Sequence, residues 1–192
     1  MPGTPPPTTD ERDNLLTWLA QQRAALKLTA FGLTDEQART AAAPPSTLTV
    51  GGLIKHVGQV EEYWIGLVEG VNLGSNEEYG EGFTMGPDQS LDSIIARYDE
   101  IATATDKAIT AIADLDRPVP VPRDAPWFPA EVDAWSVRWV LVHIIQETSR
   151  HAGHADIVRE HLDGATGYPL MAAAEGWPET EWLKPWSPAA GA

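Results

Sequence analysis

The sequence predicts an all-α protein whose helices form an antiparallel four-helix bundle. Four segments of roughly 20 residues carry apolar side chains at the spacing of an amphipathic helix. A Ser, Thr or Asp residue that can cap a helix stands at the start of each segment. The remaining sequence lacks the alternation of Val, Ile and Thr with polar residues that is typical of strands. Four helices of this length fit an antiparallel bundle.

The first two predicted helices are separated by a break at two consecutive prolines. We place the start of the first helix near Asp10 and its end near Gly32. Thr47 or Thr49 caps the second helix. Its apolar positions recur at helical spacing and are Leu53, Ile54, Val57, Val60, Trp64, Leu67 and Val68.

The third predicted helix lies between two connections. We interpret residues 70–86 as a loop because they contain five glycines and several acidic residues. Ser90 caps the third helix, which ends before Pro118. Residues 118–129 hold five prolines and form a long connection.

The fourth and longest predicted helix completes the bundle. Ser136 caps it, and it runs to about Leu162 before an Asp-Gly stop. We therefore divide the chain into a frayed N-terminus (1–9), a helical-bundle metal-binding domain (10–164) and a C-terminal extension (165–192). The extension is rich in Trp, Pro and Gly, and we expect it to pack on the bundle and cover it.

The eight tryptophans divide between helices and connections. Trp18, Trp64 and Trp139 fall within predicted helices and are predicted to be core residues. The other five lie in connections or in the tail and are Trp127, Trp135, Trp177, Trp182 and Trp186. An alternative role for the tail tryptophans is a homodimer contact.

Composition excludes several classes of protein. The net charge of −15 argues against nucleic acid and anionic membranes as partners. The absence of cysteine excludes disulfides, thiolate nucleophiles and cysteine-based zinc sites. The sequence shows neither a secretion signal nor a membrane span, so we expect a cytoplasmic protein.

A stripe of metal-binding side chains follows the fourth predicted helix. Four of the five histidines, His143, His151, His154 and His161, share with Glu147 an arc of only about 80°. The apolar positions occupy the adjoining arc, so the stripe borders the core. Residues four apart can reach one ion. Spacing leaves three pairings open: His143/Glu147, Glu147/His151 and His151/His154.

A second helix must complete such a site, because ligands on one helix approach an ion from one side. His56 is the only histidine outside the stripe, and it lies among apolar residues of the second helix. By itself such a histidine is more often a hydrogen-bonded core residue, and the stripe is as often a solvated polar face. The two features together favour one divalent metal ion held between two helices.

Two motifs resemble a known family. The sequence LIKHVGQVEEYW around His56 and the sequence LVHIIQETSRHAGHADIVREHLDG near the C-terminus resemble the DinB-like superfamily of helical-bundle metalloproteins. The resemblance covers roughly residues 10–164. It is closest to the branch related to mycothiol-dependent maleylpyruvate isomerase and to S-transferases that use low-molecular-weight thiols.

The resemblance implies a four-helix bundle with one metal ion bound by His56, Glu147 and His151. This likeness, rather than the helical spacing, selects the Glu147/His151 pairing. Zinc is the favoured metal, and nickel, iron and manganese are alternatives. The isomerase has an additional C-terminal domain where this sequence has a Trp-rich tail, so the isomerase reaction itself does not transfer.

The implied function is a metal-dependent transferase or isomerase that uses mycothiol or a similar thiol as co-substrate. Because the sequence has no cysteine, the nucleophilic sulfur must arrive with a small molecule that meets a small-molecule substrate. His154, one turn beyond His151, is the candidate for orienting a ligand or transferring a proton.

Two other functions remain open on the sequence. One is a metal-binding or stress-related protein without catalysis. The other is a metal-dependent hydrolase, whose general base would be His154 or Glu61. Near the end of the fourth helix, Asp156 and Arg159 are predicted to form a surface ion pair.

Overall fold

The computed structural model of the protein describes residues 3–71, 81–123 and 128–188. Most of these residues are helical, which confirms the all-α class. The helices are α1 (Glu11–Leu28), α2 (Asp35–Ala38), α3 (Val50–Glu69), α4 (Leu91–Thr110), α5 (Val137–Asp163) and α6 (Gly167–Glu175). A 3₁₀ turn (Glu81–Phe83) precedes α4. Within these three ranges, no helix combines the length and apolar character that a membrane span requires.

Side-chain caps start the four long helices where the sequence predicts them. The side chains of Asp10, Thr49, Ser90 and Ser136 each accept a hydrogen bond from a backbone N–H in the first helical turn. Of the two caps considered for α3, Thr49 is therefore the one used. Gly164 adopts a φ of 76° and ends α5, as predicted.

Two core clusters show in which directions the long helices run. One cluster joins the starts of α3 and α4 to the second half of α5. The other joins the ends of α3 and α4 to the first half of α5. Helix α1 places Leu19 in the second cluster and Leu26 in the first. Thus α1 and α5 run in one direction, and α3 and α4 run in the other.

The predicted antiparallel arrangement holds for α3 and α5 but is wrong for α3 and α4, which are parallel. A short loop forces consecutive helices to be antiparallel, whereas a long connection lets the chain return to its starting end. The connection over residues 70–90 is long enough, since a helix of 20 residues spans only about 30 Å. Helices α1 and α5 are also parallel: Arg138 pairs with Glu11 near their starts, and Arg159 binds the Thr29 carbonyl near their ends.

A short sheet corrects the expectation that strands are absent. Strand β1 (Pro118–Pro120) pairs antiparallel with β2 (Ala134–Ser136), and Val119 lies opposite Trp135. Strands of three residues are too short to display an alternating pattern in the sequence. Their pairing joins the two ends of the proline-rich connection directly before α5 begins.

The remaining differences lie at helix ends and in short helices. Helix α1 ends at Leu28, and Gly32, with a φ of 73°, ends the turn that follows rather than the helix. A capping box between Thr34 and Gln37 stabilises the start of helix α2. Both α2 and the tail helix α6 are too short for apolar periodicity to reveal them.

The three helical tryptophans differ in burial. Trp64 is 6% exposed, which confirms its place in the core. Trp18 and Trp139 are each 41% exposed, so the prediction that they are core residues is wrong. An indole at the edge of an apolar stripe is too large to bury its whole surface. Trp127 lies outside the described residues.

The tail contacts the helices through Trp186. A Cβ at Gly32 would lie 2.7 Å from this indole, so glycine permits the close packing. The Arg159 guanidinium stacks over the same ring, 4.9 Å from its centroid. Trp182 is 79% exposed. The division at residue 165 into a separate extension stays a prediction.

Arg159 is buried, which corrects the expectation of a surface ion pair with Asp156. Its side chain is 0% exposed and pairs with Asp163 at 2.9 Å. The guanidinium also donates to the backbone carbonyls of Thr29, at 2.6 Å, and Phe31, at 2.8 Å. These contacts tie the end of α5 to the turn after α1.

Candidate metal centre

His56 lies in the middle of α3 and packs flat against Phe83. The residue is 3% exposed. The two ring centroids are 3.7 Å apart and the ring planes differ by 19°. Phe83 belongs to the 3₁₀ turn, within the segment that the sequence predicts only as a loop. Sequence reasoning therefore missed the residue that holds the imidazole plane of His56.

Two glycines allow this turn to approach α3. A Cβ on Gly52 would lie 1.9 Å from the carbonyl oxygen of Phe83, which no side chain tolerates. A Cβ on Gly82 would lie 2.6 Å from Oε1 of Gln59 and 3.5 Å from Nδ1 of His56. A glycine inside an otherwise apolar helix was the available signal, because it indicates a close backbone contact without saying which segment makes it.

Glu147 and His151 stand one turn apart on α5. His151 Nε2 is 3.6 Å from Glu147 Oε2. Ile144 and Thr148, on the adjoining arc, are fully buried and set the rotation of the helix. The side chain of His151 is 10% exposed and that of Glu147 is 22% exposed. The pair therefore lies at the boundary between core and solvent.

The structure brings the three predicted ligands together. One ligand atom each from His56, Glu147 and His151 lies within 4.8 Å of the other two. The imidazoles of His56 and His151 meet edge to face, with centroids 4.9 Å apart and planes at 75°. Of the three pairings that helical spacing left open, Glu147/His151 is the one in this cluster. We call these three residues the donor cluster.

Burial keeps the two imidazoles of the donor cluster neutral at pH 7. Burial first, and the nearby His151 second, lower the pKa of His56 to about 4. Burial is also the largest cause of the lowered pKa of His151, and the charge of Glu147 opposes it. A metal ion binds neutral imidazole, so protons compete little for these nitrogens at neutral pH.

The donor cluster fits the coordination chemistry of a divalent ion. Ligand atoms about 2.0–2.2 Å from a tetrahedral ion lie about 3.4 Å apart. The 3.6 Å between His151 Nε2 and Glu147 Oε2 is close to this value. Two imidazoles and one carboxylate form a known catalytic zinc set, in which a further position stays open for water or substrate.

The other three histidines of the stripe lie outside the donor cluster. His154 Nδ1 is 3.4 Å from His151 Nδ1, the ring nitrogen away from the carboxylate. His143 stacks on Trp139 at 5.2 Å, and burial lowers its pKa. His161 is exposed near the end of α5. Of these three, His154 lies within hydrogen-bond distance of a cluster residue, and the charge of Glu147 raises the pKa of His143 against the larger effect of burial.

Glu61 is held in an ion pair rather than free to act as a base. Its carboxylate is 0% exposed and accepts from two nitrogens of Arg23, at 2.6 Å and 3.1 Å. Arg23 also pairs with Asp106 at 2.9 Å. Both oxygens of this carboxylate are therefore already engaged by the buried guanidinium. Of the two candidate bases of a hydrolase, this leaves His154.

A cavity of about 500 Å³ lies away from the donor cluster. It lies between Leu67 of α3 and Val121 after β1, and Leu67 is about 16 Å along the helix from His56. The side chain of Arg123, in its wall, already donates to the carbonyls of Pro129 and Val132. The side chains that line this cavity do not point to catalysis.

The family of the chain follows from a comparison with known proteins. A family model described as mycothiol S-transferase matches residues 14–164. The chain belongs to the mycothiol S-transferase family. The matched region contains all three residues of the donor cluster. No curated protein matches the chain.

A solved structure shares the fold of this mycothiol S-transferase family member. It is described as the conserved protein of locus from Enterococcus faecalis. The TM-score is 0.62 and the sequence identity 13%, over 82% of this chain and 100% of that chain. At this identity the likeness concerns the fold alone.

Proposed function

We propose that the protein binds one divalent metal ion through His56, Glu147 and His151 and transfers a low-molecular-weight thiol, such as mycothiol, to an electrophilic small molecule. One observation carries this proposal: three donor atoms converge within 4.8 Å in a member of the mycothiol S-transferase family. We also infer that the four long helices form a DinB-like four-helix bundle.

The sulfur nucleophile has to come from a small molecule, because the chain contains no cysteine. When bound, a divalent metal would lower the pKa of a coordinated thiol and so supply its thiolate. In the transfer, sulfur forms a bond to the electrophilic carbon, and the leaving group departs with the electrons of its former bond. The thiol proton passes to solvent or to His154.

The charges of the donor cluster favour an anionic partner. Glu147 contributes one negative charge, and the two histidines are neutral at pH 7. Together with a divalent ion, the cluster would carry one net positive charge, which attracts a single thiolate. Zinc is the favoured ion for this donor set, and nickel, iron and manganese are alternatives.

We assign His154 a positioning role. It contacts Nδ1 of His151, and a hydrogen bond there would hold the tautomer that leaves Nε2 free to bind metal. Proton transfer to or from the substrate is the alternative role, since His154 is only half-buried.

The other candidate functions have less support. A hydrolase would have one of its two candidate general bases, His154, because Glu61 is held by Arg23. A purely structural metal site would be closed, whereas the Glu147 side chain is 22% exposed. A cytoplasmic location, a homodimer and the absence of nucleic-acid or membrane partners stay predictions.

Metal analysis joined to a thiol titration tests this function. We expect about one ion per chain in the wild type and in His161→Ala, an exposed histidine of the same helix, and loss of the ion in His151→Ala. In the cobalt-substituted wild type, mycothiol should change the visible spectrum. Mass spectrometry should show that the wild type forms the conjugate of mycothiol with chloroacetamide faster than the uncatalysed reaction without protein. Equal metal content in His151→Ala and wild type would refute the site. A cobalt spectrum that no thiol of a panel changes would refute the thiol chemistry.

A further inference from the structure

The 3₁₀ turn before α4 brings one aromatic ring against both histidines of the donor cluster. Phe83 stacks on His56 at 3.7 Å, and its centroid is also 5.7 Å from that of His151, with planes at 57°. His56 comes from α3 and His151 from α5. Phe83 thus contacts both imidazoles without offering a ligand atom of its own.

A second residue of the turn, Gly82, lies at one edge of the His56 ring. A Cβ on Gly82 would be 3.5 Å from Nδ1 of His56, so this nitrogen faces the turn. The last torsion of a histidine side chain is broad and roughly two-fold, so α3 by itself does not determine which ring nitrogen faces the other ligands. Phe83 on the face of the ring and Gly82 at its Nδ1 edge restrict that torsion.

The turn is fixed to α3 at several points close to His56. Gly52, one helical turn before His56, lets the Phe83 carbonyl oxygen approach to where a Cβ would be only 1.9 Å away. The Lys55 ammonium donates to the carbonyl of the residue after Phe83, at 3.0 Å. Met85 is 4% exposed and packs in the first core cluster. The placement of the Phe83 ring therefore depends on backbone packing as well as on its contact with the imidazole.

We propose that the 3₁₀ turn positions His56 for metal binding. Phe83 and Gly82 hold the imidazole so that Nε2 points to the other two ligands, and docking of the turn on α3 is coupled to metal binding. This inference rests on the proposed metal site. Contacts that orient a metal-bound histidine typically change metal affinity by about 10–100-fold. By thermodynamic linkage, a bound ion stabilises the docked turn to the same extent.

Zinc affinity, measured by competition with a chelator, tests the coupling. Gly52→Ala is the informative variant, because its added methyl group displaces the Phe83 carbonyl and changes no ligand. Gly58→Ala is the matched control: it lies in the same helix and is also buried, but its Cβ would meet Tyr98 of α4, at 3.3 Å. We expect Kd for zinc to rise about tenfold or more in Gly52→Ala and to change by less than about twofold in Gly58→Ala.

Phe83→Leu removes the stacked ring without strain on α3, and it decides the test if Gly52→Ala does not fold. It should also raise Kd about tenfold or more, whereas Phe83→Tyr keeps the ring and should stay within about threefold of the wild type. Phe128→Leu is the control for this substitution and should leave Kd unchanged, because Phe128 packs on Trp64 and Trp135. Equal zinc affinities of wild type, Gly52→Ala and Phe83→Leu would overturn the inference.

NMR of the full chain with isotope-labelled histidine and phenylalanine separates this inference from the proposed function. In chelator-treated wild type, we expect nuclear Overhauser contacts between the rings of His56 and Phe83, which Gly52→Ala should lose and Gly58→Ala should keep. With zinc added, the ring nitrogen shifts should place the ion on Nε2 of His56, and zinc on Nδ1 would overturn the inference. If the wild type binds no zinc while the ring contacts behave as expected, the proposed function fails and the hold of the turn on His56 stands. If all variants bind zinc equally, the inference fails and the proposed function stands.

Discussion

Helix α3 carries two buried polar residues, His56 and Glu61, that meet opposite kinds of partner. Glu61 meets Arg23, whose guanidinium donates to both of its oxygens. His56 meets His151 and Glu147. All three side chains offer lone pairs. The first cluster matches donor to acceptor and positive to negative charge. The second gathers electron-pair donors around a common point.

This difference shows how a buried polar residue can be assigned to stability or to ligand binding. A buried carboxylate that a guanidinium satisfies belongs to the fold, and breaking the pair leaves an unpaired charge. A group of neutral imidazoles and a carboxylate is instead a donor set that could hold a cation from outside the chain. Both residues have the same local setting, a polar position on an apolar helix, so only their partners separate the two roles.

The largest expected effect follows from breaking the buried ion pair between Arg23 and Glu61. Glu61→Leu should lower the free energy of unfolding by about 3–5 kcal/mol, because Arg23 stays buried and keeps only the half-exposed Asp106 as a charged partner. Denaturant unfolding measures the loss, and metal content should stay unchanged. Glu62→Leu is the neighbouring control: its exposed pair with Arg97 should be worth less than about 1 kcal/mol. Similar small losses in both variants would contradict the distinction.

Removal of metal should have the next largest effect, and only through the donor cluster. A chelator should lower the free energy of unfolding by about 3 kcal/mol if free metal had been present at about 100 times Kd. His151→Ala should not respond to the chelator, whereas His161→Ala should respond as the wild type does. Thermal unfolding with and without chelator provides the measurement. If the chelator left the thermal unfolding of the wild type unchanged, the contrast between the two clusters would not hold.

The contact of Trp186 with Arg159, near the end of α5, is also made entirely within the chain and extends the comparison. Trp186→Ala should cost about 2 kcal/mol of unfolding free energy, because the indole packs on Gly32 and under the Arg159 guanidinium. Metal content should not change. Trp182→Ala, at a residue 79% exposed, should stay within about 0.5 kcal/mol of the wild type. Equal losses in both would mean that the tail is not held through Trp186.

The smallest expected effect concerns pH and the half-buried His143. Burial lowers the pKa of His143 in the folded protein below its ordinary value of 6.5. Its contribution to stability is therefore complete above pH 6.5 and is lost as the pH falls toward the folded pKa. Between pH 7.5 and 5.5, His143→Phe should lose less unfolding free energy than the wild type, by under about 1 kcal/mol at this half-buried site. If the unfolding free energies of the wild type and His143→Phe changed equally with pH, His143 would not contribute to the pH dependence of stability.

Much of the helical architecture could be predicted because its causes act within single segments. Apolar periodicity identifies each long helix, and a cap such as Ser90 or Ser136 binds a backbone N–H only three residues away. The closeness of Glu147 and His151 has the same local origin, since helical geometry places residues four apart on one face. The choice of this pair among three came from a family resemblance, whereas His56 was predicted as the partner on a second helix because it is the only histidine outside the stripe.

The tertiary structure decided which helices are parallel and which partner each buried polar residue meets. The sequence of α3 presents His56 and Glu61 alike, yet Arg23 comes from α1 and Phe83 from the 3₁₀ turn before α4. The sequence equally hid the 41% exposure of Trp139, which was predicted to be a core residue. The physical reason is range: helix formation depends on neighbours within one or two turns, whereas burial and charge pairing depend on residues brought together only when the whole core packs.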